Sequence, residues 1–507
     1  MKERLNMRFD YDVIVVGAGN AGLTAASRTA GAGLRTVLLE KHNLPGGYAT
    51  SFVRGRFEFE ASLHELCDIG TKEVPRAVRT LFSDLGSDEQ FINEKNLFRT
   101  IVTGEGGYDV TLQSGAEGFR ASFLSVCPDD EKSFDKLMKL LDDTSAALAY
   151  NEKKNGNPNK IYMVLKYGDF IRSASHSIDE VLCYLGFSER ARRILETYWL
   201  YLGVPADEAN SLHYLEMLRG YIYGGAGIPL YKSYGLSLSL ADTVIKKGGE
   251  IRYNTEVKSF IYDGGRVVGV KTDNDEYYAK EVISNIIPHK VLAMSGKNTR
   301  EKDRKLCNAR KLGLSFVCIY IGLDRGCNEL GINDYTVFIS KNLSSRRLYE
   351  DESETGVYVV NCLNTAYPDA TPFGTCSLFI TVPVFSDKVM SEVTPENYKK
   401  WKSDFAKKYI EDYEKVTGVT VFPYIEEISV STPATNARYF GSPDGTAYGY
   451  RLSHWDNLMS RLLCKESELD IDGLSFCGGH GANGSGFGVT YTSGVETADA
   501  VIKRIKG

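Results

Sequence analysis

An apolar run, Val13-Ile14-Val15-Val16, passes directly into Gly17-Ala18-Gly19-Asn20-Ala21-Gly22 and on into an alanine-rich stretch at 23–30. Strand, tight turn, helix is the order that satisfies it. Gly17 permits the turn, Gly19 lets backbone amides approach a pyrophosphate, and Gly22 lets the helix press against the strand, so that phosphates meet the positive helix N-terminus. The next apolar strand ends on Glu40, 18 residues past Gly22, where a carboxylate accepts the hydroxyls of an adenosine ribose. The chain therefore opens as a dinucleotide-binding unit.

Pro45-Gly46-Gly47-Tyr48-Ala49-Thr50-Ser51 is a second glycine turn, and two turns so close imply a cofactor longer than a mononucleotide. Residues 72–227 read as mainly helical, with Pro128, Asp129, Asp130 and Glu131 at a helix start ahead of Phe134, Leu137, Met138 and Leu141 at helical spacing. Residues 151–160 read as a polar loop. A helix at 236–247, stopped by Gly248-Gly249, precedes a strand meander at 251–253, 257–262, 267–272 and 277–284. Strands at 315–322, 357–363 and 376–384 then alternate with an amphipathic helix at 396–417. The last stretch returns to strand (474–477), glycine turn (478–488) and helix (491–505). The expected fold class is α/β: a discontinuous Rossmann-type domain from 8–71, 231–290 and 448–507, with a mixed α+β substrate domain inserted as 72–230 and 291–447.

At 507 residues the chain exceeds one core, and 43% hydrophobic with 25% charged residues is an ordinary globular composition. A net charge of -6, from 60 basic and 66 acidic residues interspersed, gives no footprint for nucleic acid. Ten cysteines without any CxxC spacing read as reduced thiols in a cytoplasmic protein. No metal-ligand spacing is present. No run approaches the roughly 18 apolar residues that span a bilayer; peripheral membrane contact through a local apolar patch stays open, since such a patch needs no long run.

Four stretches in one order resemble FAD-dependent oxidoreductases of the phytoene desaturase, carotenoid isomerase and retinol saturase type, within the glutathione-reductase and amine-oxidase fold family. They are Val13 to Gly22 with Glu40; Pro45-Gly46-Gly47 through Phe57-Glu58-Phe59-Glu60; 234–285 with Gly248-Gly249, Val257, Gly269-Val270 and Ile283-Ser284-Asn285; and Thr432-Pro433-Ala434-Thr435 through Tyr448-Gly449-Tyr450 to Ser493-Gly494. The resemblance implies FAD. By position, Gly17, Gly19, Asn20, Ala21 and Gly22 would hold the pyrophosphate, Glu40 and Lys41 would flank the ribose, and Gly46, Gly47, Tyr48, Ala49 and Thr50 would run beside the ribityl chain and flavin. Val257 would offer a backbone contact to adenine, and Asn285 lies just past the strand leading back to the cofactor. Gly478 and Gly479 occupy a pair that is usually Gly-Asp, so the acid expected on a ribityl hydroxyl is absent. Gly486, Phe487, Gly488 and Val489 would close over the isoalloxazine.

The implied activity is hydride transfer at flavin N5 to or from a C=C or C–C bond of a mainly apolar unsaturated substrate, with NAD(P)H or another electron donor as partner. His64, just past the stretch beside the flavin, is the first acid/base candidate because an ordinary imidazole titrates near neutrality. His480, inside the last turn, and His289 come second. Tyr198, Trp199, Tyr201, Tyr214, Tyr221, Tyr223, Tyr231 and Tyr234 either wall a substrate tunnel or pack the core. Alternatives are a redox-neutral double-bond isomerase, a flavin amine oxidase and, from another class, a non-catalytic escort for prenylated partners.

Overall fold

The structure is a computed structural model that describes residues 9–154, 156–350, 355–451, 469, 471–480 and 484–507. Its first sheet runs Glu250–Arg252, Thr36–Leu39, Tyr11–Val16, Glu276–Ser284, Arg266–Lys271, Ser259–Asp263, and Leu474–Phe476 also pairs with Glu276–Ser284. Tyr11–Val16 is parallel to both neighbours, and its Val13, Ile14 and Val15 are fully buried. A strand covered on both faces reads as a continuous apolar run, as Val13 to Val16 do here. On the edge away from Tyr11–Val16, Glu276–Ser284 serves two partners. Its start pairs antiparallel in the meander, while Val282 to Ser284 pair parallel with Leu474–Phe476.

The helix Asn20–Gly31 packs on the chain's last helix, Phe487–Lys506, so the two ends of the sequence meet. The Thr24 hydroxyl donates to the Tyr491 carbonyl at 2.9 Å, and a Cβ on Gly494 would lie 2.2 Å from the Ala21 carbonyl oxygen. Such a close crossing needs glycine.

A second sheet runs Ile425–Ser431, Ser315–Leu323, Cys376–Val384, Val357–Asn361, Thr336–Ser340, Asn96–Val102, Tyr108–Gln113. Two of its strands come from the segment read as mainly helical, which corrects that expectation. Tyr108–Gln113 alternates buried and exposed residues, but Asn96–Val102 finds its parallel partner Thr336–Ser340 over 230 residues away, a pairing no local pattern announces. Boundaries shift elsewhere. The helix Glu131–Lys153 runs into the expected loop and Lys160–Lys166 begins the next helix; Ser259–Asp263 starts late enough to leave Val257 outside any strand; Lys232–Lys246 and Phe487–Lys506 start several residues early. Among the described residues no helix is long and apolar enough to cross a membrane.

Candidate active site

The strand Tyr11–Val16 delivers Gly17 at φ +94°, and a Cβ on Gly22 would lie 1.9 Å from the Gly17 carbonyl oxygen. The amide of Gly46 donates to the Ala18 carbonyl at 2.7 Å, which ties the second glycine turn to the first. Asn285 is wedged between the first and last turns: Cβ atoms on Gly19 and Gly478 would come 2.7 Å from its Nδ2 and 2.5 Å from its Oδ1. Glu40 is held from behind, Oε2 accepting the Ala18 amide at 2.7 Å and Oε1 the His42 amide at 2.9 Å.

These elements wall a cavity of about 1090 Å³. Gly17, Gly19, Asn20, Ala21, Glu40, Lys41, Gly46, Gly47, Tyr48, Ala49, Val257, Asn285, Gly479, Gly486, Phe487, Gly488 and Val489 line it, as do His64 and His480. Three expected members do not. Gly22 packs behind the turn, the Thr50 hydroxyl donates to the Ser51 carbonyl, and Gly478 stands behind Asn285. At Gly479 a Cβ would meet Ser485 at 3.3 Å, so an acid there would be crowded. Asn20 donates its Nδ2 to Thr490 Oγ1 at 3.2 Å, while its buried Oδ1 has no partner among the described residues. An unpartnered amide oxygen, backbone approach kept open by glycine and an anchored carboxylate fit an elongated dinucleotide.

Beyond the glycine turns, Leu63, Leu66, Leu200, Leu202, Met217 and Phe316 share the wall with Asp68, His213, Glu216 and Arg219. His64 stands edge-on to Tyr201 and Phe379, at ring separations of 5.6 and 5.3 Å. Burial pushes its imidazole down to about 4, which corrects the expectation of a group titrating near neutrality: with desolvation as the cause, the ring is neutral at pH 7. The group in this wall that burial brings to neutrality is its neighbour. Glu65, 7% exposed, accepts the hydroxyls of Tyr201 at 2.7 Å and Tyr221 at 3.2 Å on Oε1 and that of Thr336 at 2.9 Å on Oε2. Burial raises it to about 7 against those three hydrogen bonds, which favour the charged form. The sequence reading passed over Glu65, although adjacency to His64 was an available signal.

Of the aromatic group, Tyr201 and Tyr221 line the cavity, Tyr198 and Tyr214 are core, and Tyr231 is exposed. His289 lies outside the wall, its Nδ1 paired with the Tyr450 hydroxyl at 2.8 Å. Sequence reasoning also missed His42, Lys290, Phe440 and Ser442. The Tyr48 and Phe440 rings lie 3.8 Å apart, and the Tyr48 hydroxyl donates to the Thr446 carbonyl at 3.0 Å, so the segment after the helix Pro433–Phe440 closes one side of the cleft.

Comparison with known proteins agrees with this geometry. The chain is 23% identical over 485 residues to all-trans-retinol 13,14-reductase of Danio rerio, covering 87% of this chain and 77% of that one. It is 23% identical over 468 residues to chloroplastic prolycopene isomerase of Arabidopsis thaliana, covering 87% and 74%. The fold matches the crystal structure of an oxidoreductase from Methanosarcina mazei with a TM-score of 0.63 at 16% identity, over 98% of this chain and 100% of that one. The profile described as flavin-containing amine oxidoreductase matches residues 20–502, from the first glycine turn to the last helix. The chain thus belongs to the flavin-containing amine oxidoreductase family, and it is an FAD-dependent oxidoreductase.

Proposed function

We propose that this oxidoreductase acts on a carbon–carbon double bond of an elongated, mainly apolar polyene or enone, by saturation or desaturation. One observation carries the reading: a single cavity joins the glycine turns, His64 and Glu65 to an arm between the helices Glu131–Lys153 and Ser211–Gly224, where Leu148, Leu212 and Met217 stand beside Glu152, His213, Glu216 and Arg219. The names of the relatives, a retinol reductase and a prolycopene isomerase, support it.

In this reading Gly17, Gly19, Asn20 and Ala21 hold the pyrophosphate, Glu40 and Lys41 the ribose, and the Val257 backbone the adenine. Tyr48, Ala49 and the start of the last helix border the flavin, where the helix amides face developing negative charge. When bound, FAD supplies two-electron hydride chemistry. The leucines and Met217 of the arm align the substrate, and His64, neutral and wedged between aromatic rings, fixes the approach without adding charge. Peripheral membrane contact beside the outer end of the arm, from a cytoplasmic side, belongs to the same reading.

The test is anaerobic reduction of the FAD-loaded protein, addition of all-trans-retinol or prolycopene, and chromatography of the products. Flavin reoxidation with a product gaining two hydrogens supports the saturase, and a rearranged product without net reoxidation supports the isomerase alternative. Inertness towards every unsaturated compound would reject the reading. With rapid flavin reduction by amines it would install an amine oxidase, and without any redox change an escort-like binder.

A further inference from the structure

Glu65 does not stand alone. Leu66–Cys67, Ala226–Pro229 and Phe91–Asn93 form a three-stranded sheet with Ala226–Pro229 in the middle. Cys67 is registered against Ala226, and the Glu94 amide donates to the Ala226 carbonyl at 2.9 Å from the other side. Cross-strand neighbours share a face, so Cys67 and Glu94 flank the small Ala226, with Glu65 two residues before Cys67. Tyr198, Tyr201 and Tyr335 each lie within electrostatic reach of both carboxyls. Both oxygens of Glu94 are buried and have no hydrogen-bond partner among the described residues. A carboxylate cannot be left so; the group is a neutral acid. Burial, with the Glu65 charge second, raises Glu94 well above the ordinary range.

We propose that Glu65, in the cavity wall, and Glu94, buried behind that wall, form a paired-acid proton store, Glu65 delivering its proton to the substrate and Glu94 replacing it. The proposal rests on the reductive reading above. The double bond takes a hydride at one carbon, the reduced flavin being the two-electron donor, and the π pair moves to the other carbon. There it takes the Glu65 proton: an O–H bond breaks, the second C–H bond forms, and Glu65 is left a carboxylate. The hydroxyls of Tyr201, Tyr221 and Thr336 hold that carboxylate in place, and the Thr336 hydroxyl can turn to accept from the acid form. Transfer of the Glu94 proton then restores Glu65, and Glu94 is reloaded through Glu65, the member of the pair that faces the cavity, since its own oxygens are sealed from solvent. The arrangement suits proton delivery because the proton is stored where water is excluded. Glu65 is a catalytic residue in this scheme and Glu94 a positioning one.

The test uses Glu65→Gln and Glu94→Gln, both near-isosteric, in the FAD-loaded protein. Infrared difference spectra at pH 6, taken without substrate, are expected to show one protonated-carboxyl band lost in each variant. With the polyenes above, E65Q is expected to lose about a hundredfold or more in the oxidation of reduced flavin, with FAD content and anaerobic reduction unchanged. E94Q should keep its first turnover and slow in later ones. Unchanged infrared bands in both variants, or wild-type turnover in E65Q, overturn the proposal. If E65Q does not fold, the missing band and slowed later turnovers of E94Q decide it. Inertness of every polyene would reject the functional reading while the infrared result still judges the acid pair.

Discussion

His64 and Glu65 are chain neighbours on which burial acts in opposite senses, lowering one to about 4 and raising the other to about 7. Each shift links stability to pH with its own sign. An unfolded histidine takes up a proton near pH 6.5, whereas folded His64 resists until about 4, so its contribution is lost as pH falls through that window. An unfolded glutamate releases its proton near pH 4.3, whereas folded Glu65 keeps its proton to about 7, so its contribution is lost as pH rises through that window. Each amounts to on the order of 3 kcal/mol. As pH rises from about 4 to 7.5, E65Q should therefore gain stability relative to wild type and H64Q should lose it, in urea unfolding at a series of pH values. Parallel profiles for all three proteins would contradict this assignment of protonation states. The first glycine turn was legible in the sequence because Gly17 and Gly22 answer local steric demands. Glu65 was not, because its meaning comes from Tyr201, Tyr221 and Thr336, which only the fold brings to it.

At the scale of elements, the short helix Lys160–Lys166 exposes Ile161, Val164 and Leu165 to 74%, 60% and 81%. Tyr162 packs on Tyr150 at 4.9 Å, between the cavity-lining residues Ala149 and Asn151, so this apolar face lies beside the cavity's outer end. Lys153, Lys154, Lys160 and Lys166 flank it in the sequence, and Lys154 and Lys166 lie over the Tyr150 and Tyr162 rings. An apolar face flanked by lysines suits the interface of an anionic bilayer. Co-sedimentation with vesicles containing phosphatidylserine should fall about tenfold or more when Ile161 and Leu165 are both replaced by serine. Equal binding by the variant would remove this helix from membrane contact. The apolar strand Cys376–Val384 was readable as written, residue for residue. The helix Lys160–Lys166 fell partly in a stretch read as loop, because a seven-residue helix stands on Tyr150 and the Asn159 cap rather than on a long periodic pattern.

Over the whole molecule, both chain ends converge on one cleft. Asn20 bonds to Thr490, Thr24 to the Tyr491 carbonyl, and Asn285 from the middle of the chain fills the gap between the outer turns. The alternation of nucleotide-type and substrate-type segments was visible in the sequence. The joining of Asn96–Val102 to the second sheet was not, since parallel pairing with a strand over 230 residues away leaves no local trace. The central claim is that three glycine turns, two near the start of the sequence and one near its end, grip one FAD. It is tested most directly by the visible spectrum and flavin-to-protein ratio of purified protein reconstituted with FAD and desalted. The account predicts the two oxidised-flavin bands at one FAD per chain, and loss of both in Gly22→Ala, whose added methyl would collide with the Gly17 carbonyl. Protein that carries no flavin bands after reconstitution, or a G22A variant that binds FAD as wild type does, would contradict it.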